Sequence, residues 1–233
     1  PVSLIVTAFA TLTDVSGTLT PQLNANEPDT SLLLIDLGRG KARMAAFILA
    51  QTINAVGDQT PDLDHPEDVV NLVKAVNQLR SEGKILAYHD RSDGGLLAAV
   101  AEMAFAGHVG VALNIDMLVT EGDGISDSKA DTGDAKNWAS QVQGRREELT
   151  LKSLFNEELG VILQVKTTDR ASVMQILREQ GLSSMSHFIG KTRPTSASLA
   201  EGKGELQIWR DTKRIFSARV TDLFQVWDAV SWK

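Results

Sequence analysis

At 233 residues, 42% apolar and 23% charged, the chain has the length for one large domain or two small ones around a sizeable core. A formal net charge of −7 excludes the basic footprint of a nucleic-acid binder, and no apolar run approaches bilayer-spanning length. The absence of cysteine removes thiol nucleophiles, thiolate metal sites and disulfides together. With no basic-then-apolar leader, that absence suits a cytoplasmic protein.

The chain opens at Pro1 inside residues 2–12, which read as a strand, so a piece cut from a longer polypeptide is expected. Residues 13–30, with Gly17, Pro21 and Pro28, read as a long connection. Residues 31–37 read as a strand, too continuously apolar to lie on an exposed edge. A helix is expected over 43–56 around Ala50. The next is better marked: Pro66 sets its first turn, Glu67 and Asp68 suit its dipole, and Gly83 ends it. Val69, Leu72, Val73, Val76 and Leu79 are its expected buried stripe.

Then come a predicted strand at 84–88, a turn, a helix over 95–106 and a strand over 110–115. Residues 120–146 are acidic and glycine-rich with little to bury, so disorder or a mobile surface loop is expected there, with Trp138 the one residue able to dock. A helix near 147–155, a strand at 161–165, a helix over 169–180 and a strand at 187–190 follow. A hairpin is predicted from 205–209 and 214–217. A closing helix over 219–232 should turn Leu223, Val226, Trp227 and Val230 inward. Strands and helices without strict alternation predict an α+β fold, a mixed sheet covered by helices on both faces.

The stretch His89-Asp90-Arg91-Ser92-Asp93-Gly94-Gly95-Leu96 carries the most chemistry. A strand, an acidic-serine-diglycine turn and a helix place amides at a helix N-terminus and a carboxylate at a strand's carboxyl end, where α/β sheets hold ligands. In that reading Asp90 ligands Mg²⁺, Ser92 donates to a phosphate oxygen, and Gly94 and Gly95 let the backbone approach phosphate closely. The plainer alternative makes Ser92 or Asp93 an ordinary helix cap and the glycines a tight turn. His89 is expected to bond a neighbouring carbonyl. Gly38-Arg39-Gly40-Lys41 fails as a phosphate loop, because Ala42 stands where a hydroxyl is needed. The acidic loop at 121–134 lacks calcium-loop spacing, and the four histidines form no metal-spaced pair. On spacing alone, Phe155-Asn156-Glu157-Glu158-Leu159-Gly160 reads as a helix end with solvated carboxylates.

Several long strings, in order, resemble one family. They are 1–10, Thr18-Leu19-Thr20-Pro21-Gln22-Leu23, 32–38, 89–96, 102–108 and 154–160. They are similar to phosphoribosylformylglycinamidine synthase (formylglycinamide ribonucleotide amidotransferase) in its large single-chain form. The likeness spans nearly everything except about 119–147 and parts of 191–204.

The resemblance implies that residues 1–233 are one C-terminal-type lobe of the second synthetase half, a three-layer α/β/α unit like the C-terminal domain of aminoimidazole ribonucleotide synthetase. It implies an ATP-dependent ligase of purine biosynthesis acting on formylglycinamide ribonucleotide, with glutamine as nitrogen donor. Asp90 is the implied magnesium ligand and Ser92 the implied ATP contact, with Gly94 and Gly95 beside it. Asn156 and Glu157 are weaker candidates for lining the same cleft. The other synthetase lobes and a glutaminase domain are the implied partners, and the isolated piece is expected to be inactive. The family's glutaminase uses a cysteine, and this chain has none. Relatives carry a glycine-containing turn where this chain has residues 41–47; Ala45 puts a phosphate contact there in doubt. The alternative reading is a non-catalytic structural or interaction lobe of the same or a related superfamily protein.

Overall fold

The computed structural model describes residues 6–45, 47–57, 59–120, 135–193 and 204–229. Its central strand is β1 (Thr30–Asp36), whose seven residues are all buried. The other elements, in chain order, are α1 (Ile48–Thr52), α2 (Pro66–Ser81), β2 (Ala87–Asp90), α3 (Gly95–Gly107), β3 (Gly110–Asn114), α4 (Asp116–Thr120) and α5 (Ala135–Phe155). Then follow β4 (Gly160–Lys166), α6 (Arg170–Glu179), β5 (Ser186–Arg193), β6 (Glu205–Arg210), β7 (Lys213–Arg219) and α7 (Val220–Asp228).

The seven strands make one sheet in the order β2-β4-β1-β5-β3-β6-β7. Every pairing is antiparallel except β3 with β6, so the sheet is mixed, as expected. One face carries Leu32, Leu34, Leu113 and Ile162 under α3, α5 and α7. The other carries Leu33, Ile35 and Leu163 under α2 and α6. Alternate residues of β1 therefore feed two separate cores, which is why its sequence reads as continuously apolar. The result is the three-layer α/β/α arrangement.

One polar residue inside the sheet is accounted for by its partners. Gln164 is fully buried; its amide donates to Asn24 O (3.1 Å) and Thr30 Oγ1 (3.1 Å), and its oxygen accepts from Asn24 N (2.7 Å). It thereby ties the connection before β1 to the sheet. Gln164→Leu should cost about 1–3 kcal/mol in urea unfolding, because it strands both backbone groups of Asn24. An unchanged midpoint would show that solvent reaches them.

Several expectations are corrected. Residues 6–12 form no strand and are exposed, with Phe9 at 93%. No neighbouring strand among the described residues pairs with them, and a lone extended segment gains no ladder. Residues 2–5 lie outside the described residues. The helix expected over 43–56 shrinks to α1 because the amides before it are taken elsewhere: Arg43 N by Glu158 Oε1 (3.1 Å) and Ala45 N by Gln59 O (2.7 Å). On α2, Ala75 takes the centre of the buried face and Val73 turns outward. β2 begins three residues later than the predicted strand and ends two residues further on, so that it includes His89 and Asp90. Residues 135–146, expected in a loop, belong to α5, whose lysines, glutamines, arginines and glutamates favour helix without an apolar stripe. Residues 121–134 and the side chain of Trp138 lie outside the described residues. On α7, Leu223 packs inward, but Val226 and Trp227 are exposed. Phe224 faces Phe105, with ring centroids 5.5 Å apart, so the helix is rotated from the predicted face. Val230 lies outside the described residues.

Candidate functional site

Three of the sequence strings meet at one end of the sheet. β1 ends at Asp36 opposite Gly160, where β4 starts, and β2 ends at Asp90 opposite Val161. The segments after β1, after β2 and before β4 are thus neighbours.

Arg91 joins them. Its backbone amide donates to Gly160 O (2.8 Å), and its buried guanidinium donates to Glu158 O (2.7 Å), to Leu159 O (3.1 Å) and to the Asp36 carboxylate. Asp36 also accepts from Gly38 N (3.2 Å) and Gly40 N (2.8 Å), so a carboxylate of the chain itself fills the glycine turn after β1. Glu158 is 1% exposed and binds Arg43 through both oxygens, at 2.6 and 2.8 Å. That bond, more than the opposing burial, raises the Arg43 pKa above its usual value. The carboxylate at 158, expected in solvent, is buried and paired; a buried charge needs a partner of this kind. Beneath the network, Asp36, Gly40, Arg91, Asn156 and His187 border a cavity of about 30 Å³, room for a water molecule rather than a ligand.

Above the network sits the turn itself. Asp90 is exposed at the end of β2, accepting from Tyr88 Oη at 2.6 Å. Burial first, and then this bond to a carboxylate, push the Tyr88 phenol pKa up. Ser92 is also exposed; its carbonyl accepts from Gly95 N (2.9 Å), and its hydroxyl has no partner among the described residues. Neither Ser92 nor Asp93 caps the helix: Gly94 is the N-cap of α3, with φ +80° and no side-chain cap bond. His89 does bond a neighbouring carbonyl, Asp90 O at 2.6 Å, and its other nitrogen lies 3.0 Å from Glu102 Oε2. Glu102 in turn accepts from Trp227 Nε1 at 3.1 Å, which ties α7 to this strand end.

The two glycines serve the interior. Gly94 N donates to Glu157 Oε1 at 2.8 Å. At Gly95, φ is +71° and a Cβ would lie 2.7 Å from Asn156 O, so the close approach is made by the chain's own backbone. Gly95→Ala should therefore cost about 2–3 kcal/mol, visible as a lower melting temperature. A neutral result would mean that residues 155–156 can move aside.

Asn156 and Glu157 are brought to the turn, but both are engaged internally. Asn156 is buried, its amide donating to Lys152 O (2.6 Å) and its oxygen accepting from Glu158 N (3.3 Å). The basic residues after β1 are engaged too: Arg39 with Asp68 (2.9 Å) and Lys41 with Asp64 (3.0 Å). Among the described residues, no three His, Asp or Glu side chains gather as a metal cluster. Asp90 is a single carboxylate, and its second oxygen has no partner among the described residues. That suits a magnesium ion which takes its other ligands from phosphate and water.

Sequence reasoning missed Arg91, Glu158, Asp36 and Arg43. One signal was present: an aspartate ending a fully apolar strand demands a cation, and Arg91 lies inside the string already singled out.

Residues 30–198 match the family described as AIR synthase related protein, C-terminal domain. Among solved structures, the Thermotoga maritima PurL chain complexed with FGAR superposes with a TM-score of 0.57 at 13% identity, covering 89% of this chain and 29% of that one. The T. maritima PurL complexed with ATP gives 0.54 at 12% identity, over 86% of this chain and 26% of that one. PurLQS from Thermotoga maritima gives 0.53 at 12%, over 85% and 26%. At such identities the likeness is one of fold, and the chain spans little more than a quarter of those structures. With the family match over most of its length and the three-layer mixed sheet, the chain belongs to the AIR synthase related protein, C-terminal domain family.

Proposed function

We propose that this chain is the C-terminal-type lobe of a phosphoribosylformylglycinamidine synthase, a cytoplasmic enzyme that converts formylglycinamide ribonucleotide, glutamine and ATP to the amidine. In this reading the lobe supplies one wall of a magnesium–nucleotide site. The observation that carries it is the exposure of Asp90 and Ser92 together at one end of the sheet. The charged groups around them, Asp36, Arg91, Glu158 and Arg43, are consumed in a buried network below. The solved PurL structures complexed with ATP and with FGAR share the fold and support the assignment.

Chemically, Asp90 supplies the negative charge that holds the metal end of the nucleotide, and the Ser92 hydroxyl donates to a phosphate oxygen. The metal, when bound, neutralises charge on the transferred phosphoryl group. Gly94, Gly95, Asn156 and Glu157 shape the turn from behind. This lobe has no cysteine nucleophile, so in this reading glutamine hydrolysis belongs to a separate domain.

The test is an assay of the longer protein that contains this segment. Phosphate release from ATP should depend on both formylglycinamide ribonucleotide and an ammonia source. ATP hydrolysis indifferent to that ribonucleotide would overturn the assignment. The isolated lobe should bind Mg·ATP weakly by calorimetry, and tight binding would show that it holds a complete site.

A second reading, an interaction lobe without catalysis, is favoured by exposed apolar side chains such as Phe9 and Val226. It predicts concentration-dependent association of the lobe and no nucleotide effect on its melting.

A further inference from the structure

Glu157 holds two distant pieces of backbone with one oxygen. Its Oε1 accepts from Gly94 N at 2.8 Å and from Ile48 N at 3.2 Å, across separations of 63 and 109 residues. The first amide begins the turn into α3, and the second begins α1. α1 is only five residues long and has no side-chain cap of its own at Phe47. Too short to hold itself together, it depends on tertiary bonds for its place.

Behind the carboxylate, the chain path is fixed. Asn156 is tied to the end of α5 by its bond to Lys152 O, and Glu158 is locked on Arg43. The Glu157 side chain therefore projects from a rigid base. α1 and α3 together border an apolar hollow of about 260 Å³ that reaches Gly94 and includes Ile48, Leu49, Leu97 and Ala101. Losing the shared acceptor would free the α1 wall of that hollow and the peptide preceding Gly94 at the same time.

We propose that Glu157 is a positioning residue: it holds α1 and the diglycine turn in one arrangement and does not itself touch the nucleotide. The functional half rests on the reading of the turn as a nucleotide site. The structural half does not. What matters is an oxygen that accepts two N–H groups, not the negative charge. A glutamine carbonyl can do the same, whereas a metal or phosphate-side contact would depend on the charge.

Two measurements separate these halves. In this chain, hydrogen exchange of the Gly94 and Ile48 amides should speed up roughly tenfold or more in Glu157→Ala and by much less in Glu157→Gln, the size of one lost acceptor. If both amides stay protected in Glu157→Ala, the staple is wrong, whatever the protein does. In the complete enzyme, the nucleotide KM should rise roughly tenfold in Glu157→Ala and substantially less in Glu157→Gln, with kcat changing less than KM in both. Glutamine as harmful as alanine, with the amides still protected, would make Glu157 a charged ligand contact and overturn the proposal. An unmoved KM in Glu157→Ala, with the amides exposed, would overturn its functional half. Full activity of an Asp90→Asn enzyme would instead sink the nucleotide-site reading and leave the exchange result standing.

Discussion

Arg91→Met is expected to destabilise this protein by about 3–5 kcal/mol, the cost of leaving a buried ionic partner uncompensated. The guanidinium touches the Asp36 carboxylate and the carbonyls of Glu158 and Leu159, and Arg91 is 5% exposed, so water cannot take over those contacts. Methionine keeps the aliphatic packing and removes every donor. Two amides, from Gly38 and Gly40, would remain on Asp36, too little for a full charge in that position. Adding Asp36→Asn should recover part of the loss, because the stranded charge disappears. Arg91→Lys should fall between, since one ammonium cannot span acceptors that a planar fork reaches together. Urea unfolding of the four proteins measures this. A loss under about 1 kcal/mol for Arg91→Met would show that the network is hydrated and contributes little.

The second large effect concerns Asp90. In the complete enzyme, Asp90→Asn should lower kcat/KM by about 100-fold or more, because an amide is a poor ligand for a hard cation and removes one charge from the site. The fold should barely notice: Asp90 is exposed, and asparagine can still accept from Tyr88. Glu179→Gln on α6, whose carboxylate among the described residues meets only Gln175 at 2.9 Å, is the appropriate comparison. Glu102 is not, because it links His89 to Trp227. Equal activity of the Asp90 and Glu179 variants would reduce Asp90 to a surface carboxylate. Excess magnesium should partly offset the Asp90→Asn loss and leave Glu179→Gln unmoved.

Much of the architecture could be read from local pattern. β1 was legible because so short and unbroken an apolar run suits a strand covered on both faces, and α2 because Pro66, its acidic first turn and Gly83 agree. Where the reading failed, the deciding contact lay elsewhere in the chain. Residues 6–12 have a strand's composition but no partner strand among the described residues. The outward turn of Val226 depends on Phe105 claiming Phe224.

The site divides in the same way. Asp90 and Ser92 were legible as candidates because the strand-turn-helix pattern places them at a strand's carboxyl end, beside a helix N-terminus. Glu157 was seen as a candidate, but its role depends on Gly94 and Ile48, which no spacing rule connects to it. Glu158 was misjudged because only the fold brings Arg43 onto it and buries the carboxylate.

The most direct test is nuclear magnetic resonance of this chain with Mn²⁺·ATP, the paramagnetic ion standing in for magnesium. Line broadening should centre on the amides of residues 89–96, vanish with Asp90→Asn, and persist with Glu179→Gln. Broadening centred elsewhere on the sheet, or a pattern unchanged by Asp90→Asn, would contradict the claim that this turn receives the metal-bound phosphates.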